Sequence, residues 1–543
     1  MGDNPCNLSA LSPLVLSAGE TLPAICSGSR AQFEIDEFPR GIPMARARTL
    51  DPKRSIPSSV SVVFLFIVAA AIVSPAQTFK TLYNFCGGLG GDCTDSVSNA
   101  ALIQSTDGKF YGAATSGGAN GYGMVFRITP GGTLTELYSF CSQTNCTDGA
   151  NPGYGLVQGT DGNFYGTTLG GGAYACADSS QGGCGTVFKI TPAGTLTTLH
   201  SFDNVHGAYP NGALVQGAAG SFYGTTLGGG PNCQTEVGCG TVFKITPEGT
   251  LTTLHNFDGN DGELLYGGLV QGTDGNFYGT TSSGGANQTC SVFCGTIFKI
   301  TPAGALTTLH NFDGTDGAYP DGPLVQATDG NFYGTTGGGG EHTGGTVFKL
   351  TPKGTLATLY NFCATDGCAD GYNPQAGLVQ GTDGNFYGTA EVGGTGYYYG
   401  TAFRITPGGT LTVLHSFDGT DGENPFAGLL QATNGVFYGT TNGGGKGDCF
   451  DYGCGTVFEV SVGLGPFVKT EPTFGKVGAR VVILGNNLTG STAVSFNGTA
   501  ATFTVVSSTE ISATVPTGAT TGALEVTTPT KLLESNVAFR VTP

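Results

Sequence analysis

The chain has 543 residues, of which 95 are glycine, and its 21 Lys and Arg residues against 39 Asp and Glu residues give a net charge of −18. The glycines follow no Gly-X-Y period and no sustained 3.6-residue apolar period accompanies them, which excludes collagen and an ordinary helical enzyme and favours an all-β protein. A negative field of this size repels phosphate backbones, so we expect no nucleic-acid partner; such a charge also keeps many exported proteins soluble.

The first 76 residues differ from all that follows. Residues 1–43 match no later segment and stay unassigned, because Met44 offers an alternative start. From Met44 a basic stretch leads into the apolar run 60–73, which is shorter than the roughly 18 residues of a spanning helix. We therefore predict a signal peptide at 44–76, cleaved near Ala76. The alternative is an uncleaved anchor, which would be the chain's one membrane contact.

Three motifs then recur seven times each. They are Gly-Thr-Asp-Gly-Asn-Phe-Tyr-Gly, as at 159–166, Thr-Val-Phe-Lys-Ile-Thr-Pro, and Leu-His-Asn-Phe. The phenylalanines of the first motif are Phe110, Phe164, Phe222, Phe277, Phe332, Phe386 and Phe437. Their spacing of 51 to 58 residues is typical of a repeat architecture.

The sequence pattern of each repeat predicts four antiparallel strands. In one copy these are residues 268–271, 276–281, 295–301 and 305–312. Asp274-Gly275 and Pro302-Ala-Gly304 supply the turn residues between them. Four-stranded units repeated radially form a β-propeller.

The ends of the array indicate how the ring closes. A lone fourth strand at 78–85 precedes the first repeat, and the last repeat lacks its fourth strand. We therefore predict a seven-bladed β-propeller at 77–465, closed by the N-terminal strand, which leaves no sheet edge exposed. An open array, whose ends would need caps, is the alternative.

Residues 466–543 lack the glycine-rich period and show strand-like alternation. The motifs Pro472-Thr-Phe-Gly475, Val494-Ser-Phe-Asn-Gly498 and Gly518-Ala-Thr-Thr-Gly522 resemble the IPT/TIG family of immunoglobulin-like β-sandwiches. Through Asp-Gly-x-Phe-Tyr-Gly and Val-Phe-Lys-Ile-Thr-Pro, residues 77–463 resemble the GloVer (Gloeo/Verruco-type) tandem-repeat family of bacterial exported proteins. This resemblance implies an architecture and a compartment, but no reaction.

Fourteen of the 16 cysteines follow residue 77 as seven close pairs, and a repeat that lacks one partner lacks both. This pattern predicts local disulfides in an oxidising compartment. Zinc is the alternative, although each scattered pair offers two ligands rather than four. The pairs are Cys86 and Cys93, Cys141 and Cys146, Cys176 and Cys184, Cys233 and Cys239, Cys290 and Cys294, Cys363 and Cys368, and Cys449 and Cys454.

The cysteine pairs lie in two kinds of loop, from strand four to strand one and from strand two to strand three. Both open at one end of an up-and-down blade, while the other end carries short repetitive turns. Because binding residues commonly lie on variable loops of a rigid scaffold, we predict the functional face at the cysteine-bearing end.

Two sets of loop residues are candidates for binding. Asp-Gly-x-Asp-Gly groups resemble calcium ligands, with ordinary turn chemistry as the alternative: Asp258, Asp261, Asp313, Asp316, Asp418 and Asp421. Loop tyrosines are candidate platforms for sugar rings, with loop anchoring as the alternative: Tyr154, Tyr209, Tyr266, Tyr319, Tyr372 and Tyr398. Four histidines exchange with tyrosine at one register of strand four, so we interpret them as packing residues: His200, His255, His310 and His415.

These features favour an exported, non-catalytic binding or adhesion protein for a glycan or surface protein. We expect a monomer that requires no cofactor, with calcium as a candidate, and we name no catalytic residue. The alternatives are a polysaccharide-active hydrolase or lyase on a propeller scaffold and a purely structural envelope protein. Glu263, Glu341, Glu391 and Glu423 break the repeat, but the sequence does not pair them.

Overall fold

The computed structural model describes residues 32–36, 44–48, 77–85, 100–153, 155–176, 182–231, 238–287, 294–446 and 454–542. Residues 1–72 form a unit of their own, in which Gln32–Asp36 (β1) pairs with Met44–Arg48 (β2) in an antiparallel hairpin. The rest of the predicted signal segment, 49–76, lies outside the described residues. Within the ranges given above, no helix has the length and apolar character that crossing a membrane requires.

The second unit, residues 73–543, contains seven four-stranded antiparallel blades. The first strands are Ile103–Gln104, Val157–Gln158, Val215–Gln216, Val270–Gln271, Val325–Gln326, Val379–Gln380 and Leu430–Gln431. The second strands are Phe110–Ala114, Phe164–Gly170, Phe222–Thr226, Phe277–Thr281, Phe332–Thr336, Phe386–Ala390 and Phe437–Thr441. The third strands are Met124–Ile128, Thr186–Ile190, Thr241–Ile245, Thr296–Ile300, Thr346–Leu350, Thr401–Ile405 and Thr456–Ser461. The fourth strands are Leu134–Ser139, Leu196–Ser201, Leu251–Asn256, Leu306–Asn311, Leu356–Asn361, Leu411–Ser416 and, for blade 7, Thr78–Asn84.

Three short elements lie in the loops of these blades. Ala150–Pro152 adds a strand to the sheet of blade 2. Thr144–Cys146 and Asp366–Cys368 are single 3-10 turns in two of the loops that lead from strand four to strand one.

The ring closes between the two ends of the propeller segment. Thr78–Asn84 pairs with Thr456–Ser461 as the outer strand of blade 7. Around the ring, the second-strand tyrosine of each blade packs on the second-strand phenylalanine of the next, with ring centroids 4.0 to 4.4 Å apart. The last of these pairs joins Tyr438 of blade 7 to Phe110 of blade 1. The predicted seven-bladed propeller with an N-terminal closing strand is confirmed.

Each residue of the Phe-Tyr-Gly motif in the second strand has a role in packing. Phe164 and Tyr165 are both fully buried, because the two faces of a strand here contact two neighbouring blades. The Tyr165 hydroxyl donates to Oδ2 of Asp161 at 2.8 Å, which ties the strand to the preceding turn. A Cβ on Gly166 would lie 2.6 Å from the ring of Phe188 on strand three, so glycine is required. Burial of each aromatic ring stabilises the fold by roughly 2–3 kcal/mol.

The glutamine at the end of strand one joins neighbouring blades. Oε1 of Gln216 accepts from the N–H of Thr160 in the preceding blade at 3.0 Å. The same bond joins Thr106 to Gln158, Thr273 to Gln326, Thr328 to Gln380, Thr382 to Gln431, and Thr433 to Gln104. Blade 3 has Ala218 in place of the turn threonine, and Oε1 of Gln271 accepts instead from Nη2 of Arg540 at 3.2 Å.

The C-terminal domain is a β-sandwich with its own core, in which Ile483, Phe496 and Ile511 are buried. One sheet has the strand order Lys469–Glu471, Arg480–Leu484, Glu510–Thr514 and Phe503–Val505. The other has the order Thr499–Ala500, Ala493–Phe496, Leu524–Thr527 and Leu532–Glu534. Phe474–Lys476 and Arg540–Thr542 form a short parallel pair.

This domain packs on the end of the propeller that carries the short turns between strands one and two. The Phe467 N–H donates to the Thr433 carbonyl at 3.0 Å, and Thr509 Oγ1 donates to the Thr106 carbonyl at 3.1 Å. Nη1 of Arg540 lies 3.3 Å from the carbonyl of Gly272. The C-terminal domain therefore packs on the end of the propeller where the sequence predicts only short, repetitive turns.

Candidate functional site

The blades surround a channel with a volume of about 600 Å³. Loop segments that lead into six of the seven first strands line it: 101–102, 212–213, 264–268, 319–323, 375–378 and 426–429. Equivalent segments of six blades can meet only on the ring axis, so this is the central channel. Its volume lies within the range of small-molecule binding sites.

The C-terminal domain lines a second cavity that adjoins the channel. Leu102 and Leu429 line both the channel and a second cavity of about 230 Å³ that ends on Lys469–Glu471. Because alternate residues of a strand share a face, Lys469 and Glu471 both face this cavity. Burial lowers the pKa of Lys469 and raises that of Glu471, and each charge partly offsets the shift of the other. The loop end is therefore the end of the channel that lies away from the C-terminal domain.

One register position varies around the channel while the strands beside it repeat. It lies five residues before the strand-one glutamine, and we call it the mouth ring: Gly153, Asn211, Tyr266, Asp321, Gln375 and Phe426. Tyr266, Asp321, Gln375 and Phe426 line the channel. Variable positions on a rigid, repetitive scaffold are typical of binding sites, so the mouth ring is a candidate site.

Asp321 has an unusual environment within the mouth ring. The Ser282 hydroxyl of blade 4 donates to its carboxylate, but Oδ1 is buried and has no hydrogen-bond partner among the described residues. Burial raises the pKa of Asp321 to about 6, against the effect of Ser282. Oδ1 of Asn211, at the same ring position, is likewise buried and unpartnered in the described part of the chain. Buried acceptors without donors favour a ligand that supplies N–H or O–H groups.

Glu391 is a second carboxylate beside the mouth ring. Its Oε2 accepts from Nδ2 of Asn373 and, at 3.1 Å, from Nε2 of the ring residue Gln375. Burial raises the pKa of Glu391 to about 7, although the bond from Asn373 opposes the shift. The sequence marks Glu391 as a break in the repeat, and the structure supplies its partners.

A left-handed backbone position lies two residues before the mouth ring. Its φ is 50° to 58° at Asn151, Tyr209, Leu264, Tyr319, Asn373 and Asn424. Asparagine adopts this conformation readily, whereas leucine and tyrosine do so with strain. Leu264 and Tyr319 both line the channel. Tyr209 has the same backbone conformation but packs against the interior of blades 2 and 3, so this strain belongs to the loop scaffold and does not by itself mark the mouth.

Comparison with known families identifies the repeats. The model of the Gloeobacter/Verrucomicrobia repeat matches residues 70–232, 173–371, 232–458 and 367–500. The chain belongs to the Gloeobacter/Verrucomicrobia repeat family. The model of the IPT/TIG domain matches residues 468–541. Both resemblances seen in the sequence are confirmed. No protein of curated function matches the chain.

Solved structures resemble parts of this Gloeobacter/Verrucomicrobia repeat protein only distantly. One is the extracellular domain of the proposed hybrid two component system BT4673 from B. thetaiotaomicron, with a TM-score of 0.44, 11% identity, and coverage of 76% of this chain and 46% of that chain. Another is the PQQ-bound aldose sugar dehydrogenase from Streptomyces coelicolor, with a TM-score of 0.38, 12% identity, and coverage of 71% and 98%. The chain thus spans less than half of the BT4673 chain, and these likenesses assign no function.

Two of the six predicted sugar-binding tyrosines of the repeat protein, Tyr266 and Tyr319, line the channel. Tyr209 is half-buried against the packed interior of blades 2 and 3. Tyr372 and Tyr398 are 38% and 74% exposed and lie outside the described channel lining. Tyr154 falls outside the described residues. The sequence did not single out the lining residues Asp321, Gln375 and Phe426; their shared distance from the strand-one glutamine is the signal that could have found them.

The predicted calcium ligands accept hydrogen bonds within their own loops. Oδ2 of Asp261 pairs with Nε2 of His255 at 2.6 Å, and Oδ1 of Asp258 accepts the N–H of Asn260 at 2.9 Å. The same ring-to-carboxylate pairing joins His310 to Asp316, His415 to Asp421, Tyr138 to Asp148, and Tyr360 to Asp370. Histidine and tyrosine can therefore exchange in these blades because both rings hold a loop carboxylate, whereas Nε2 of His200 is buried with no hydrogen-bond partner among the described residues. No three His, Cys, Asp or Glu side chains converge as a metal site in the described ranges, and calcium stays a prediction.

Disulfides brace the loops at the mouth end. Cys141 pairs with Cys146, Cys176 with Cys184, and Cys363 with Cys368. Three further cysteines are disulfide-bonded: Cys239, Cys294 and Cys454. Their predicted partners and the remaining predicted pair lie outside the described residues: Cys233, Cys290, Cys449, Cys86 and Cys93.

Proposed function

We propose that the protein is an exported, non-catalytic binder of glycans that takes its ligand in the mouth of the central channel. The observation that carries this proposal is the mouth ring, where side chains differ from blade to blade on an otherwise repetitive scaffold. Tyr266, Tyr319 and Phe426 offer flat apolar surfaces beside the polar groups of Asp321 and Gln375. Such a mixture suits sugar rings, which present apolar faces and hydroxyl edges. The disulfides at this end support export, because such bonds persist in oxidising compartments.

A polysaccharide-active enzyme is the second candidate, and one observation favours it. Asp321 and Glu391 have pKa values raised by burial to about 6 and about 7. A general acid must keep its proton near neutral pH, and such acids are commonly carboxyl groups with raised pKa values in clefts. Both carboxyl groups lie at the mouth ring or in contact with one of its residues.

One experiment separates these functions. The purified protein is incubated with soluble and insoluble polysaccharides, with calcium or with a chelator, while released reducing sugar is assayed in the same mixtures. Retention without release supports the binding function, and retention lost in chelator would assign calcium to the Asp-Gly loops. Release of sugar that Asp321→Asn or Glu391→Gln abolishes would replace it with the enzymatic function. Absence of retention on every glycan would contradict both and favour a structural role.

A matched pair of variants locates the binding site. Tyr319 and Tyr372 are each 38% exposed and lie in loops that join strand four to strand one, but only Tyr319 lines the described channel. Tyr319→Ala is expected to weaken glycan binding about tenfold, since an aromatic contact is worth about 1–1.5 kcal/mol. Tyr372→Ala is the control and is expected to leave the affinity unchanged. An equal loss in both variants would move the site away from the channel.

A further inference from the structure

The central channel holds a partly buried acidic group with no basic side chain among the described residues of its lining. Asp321 is the one charged residue among the described residues of the lining. The Ser282 hydroxyl is the one described donor to its carboxylate, and Oδ1 accepts no hydrogen bond from the described residues. A carboxylate that is removed from water without a counter-charge is unfavourable, so this arrangement stabilises the protein poorly.

Lys469, a basic residue in a cavity that adjoins the channel, does not act on Asp321. Lys469 lines the second cavity, where Glu471 on the same strand is its electrostatic partner. The environment of Asp321 is set by its burial and by Ser282, with no contribution from Lys469. No described lining residue carries a positive charge, so a cationic ligand would supply the counter-charge that the ionised Asp321 lacks.

We propose that the glycan bound in the channel carries protonated primary amines, as a glucosamine-rich polysaccharide does, and that Asp321 binds the ammonium group. This inference rests on the proposed glycan-binding function and specifies its ligand class. An ammonium group supplies three N–H donors, of which Oδ1 of Asp321 accepts one. It also supplies the positive charge that the hydroxyl group of a neutral sugar lacks.

The rest of the lining fits the same ligand. Tyr266, Tyr319 and Phe426 provide aromatic rings in the channel that holds Asp321, and aromatic faces attract cations. Over a longer range, the net charge of −18 raises the local concentration of a polycation.

The test uses three β-1,4-linked tetrasaccharides that differ only in the group on carbon 2: tetramers of glucose, glucosamine and N-acetylglucosamine. Their affinities for the full protein are measured by calorimetry near neutral pH at low and high salt. We expect the glucosamine tetramer to bind at least tenfold more tightly than the other two. This preference should weaken at high salt, which screens charge but not contacts with neutral sugars.

Two variants test whether Asp321 causes the preference for the glucosamine tetramer. Asp321→Asn keeps the size of the side chain and removes its charge, so the preference for the amine should fall to less than threefold while the glucose tetramer still binds. Asp366→Asn removes the same charge from an exposed position in a loop at the mouth end and should leave the preference intact.

The outcomes are distinguishable. Binding of the glucose tetramer as tightly as the glucosamine tetramer would overturn the amine inference and leave the glycan-binding function standing. A preference that survives in Asp321→Asn would overturn the role of Asp321. If no tetrasaccharide binds, the proposed function itself fails and the inference fails with it.

Discussion

The carboxyl groups in the turns between strands one and two and the two carboxyl groups at the mouth ring have opposite pKa shifts. At the turn end, burial favours the protonated form, but hydrogen bonds from neighbouring side chains outweigh it and the pKa values of Asp161, Asp274 and Asp329 are lowered. At the mouth, burial raises the pKa values of Asp321 and Glu391 with fewer compensating bonds. The turn-end acids thus stabilise the scaffold, whereas the mouth acids are retained at the expense of stability. The direction of the pKa shift thus distinguishes the carboxyl groups that stabilise the repeated turns from those in the candidate binding site.

The largest expected effect comes from breaking the repeated contacts. In Gly279→Ala the new Cβ would lie 2.6 Å from the Phe298 ring and 2.8 Å from Leu269. Overpacking of this kind is expected to lower the free energy of unfolding by about 2–3 kcal/mol, measured by denaturant titration. Gly131→Ala is the control, because its Cβ would meet nothing closer than 3.8 Å. Equal stability of the two variants would contradict the packing role given to this glycine.

Because the two sets of pKa values are shifted in opposite directions, their contributions to the stability of the protein depend on pH in opposite ways. Asp321 and Glu391 bind protons more tightly in the folded protein than in the unfolded chain, so their contribution to stability is complete below about pH 4 and is lost as pH rises to about 7. The turn aspartates act in the other direction, because their stabilisation is lost as pH falls through their lowered pKa values.

The double variant Asp321→Asn, Glu391→Gln isolates the mouth contribution. Its stability relative to the unmodified protein should increase between pH 4 and pH 8 by on the order of 2 kcal/mol, after allowance for partial exposure. Thermal unfolding at a series of pH values measures this difference. A difference that does not change with pH would show that the two carboxyl groups are not perturbed.

The sequence predicts the ring well because every repeat encodes the same contacts. Phe164, Tyr165 and Gly166 recur as one motif, and the lone N-terminal strand has one gap to fill. The mouth ring is harder to predict because no residue repeats there. Asp321 follows a proline and precedes a glycine, which indicates an ordinary turn, and its side-chain hydrogen bond comes from Ser282 of another blade. The packing of the C-terminal domain on the propeller is equally hard to predict. Arg540 bonds Gln271, whose usual partner, the turn threonine of the preceding blade, is replaced by Ala218.

A moderate effect is expected where the C-terminal domain meets the turn end. The Arg540 guanidinium lies near the carbonyls of Gly272 and Thr273, bonds Gln271, and stacks over Phe474 at 5.3 Å. Arg540→Ala should cost about 1–2 kcal/mol and speed hydrogen exchange in the blade 4 turn. The blade 2 turn, at 159–162, serves as the internal control. Unchanged exchange in blade 4 would show that Arg540 does not hold the two domains together.

The smallest expected effect concerns the outer strands, where histidine and tyrosine exchange between blades. His255 bonds Asp261, and Tyr360 bonds Asp370 at the same register in blade 5. His255→Tyr should therefore stay within about 0.5 kcal/mol of the unmodified protein, because tyrosine can make the same bond. His255→Phe keeps an aromatic ring but loses the bond, which should cost about 1 kcal/mol in denaturant titration. If both variants lose equal stability, the ring-to-carboxylate bond does not explain the exchange. If neither loses any, these residues serve packing alone, as the sequence indicates.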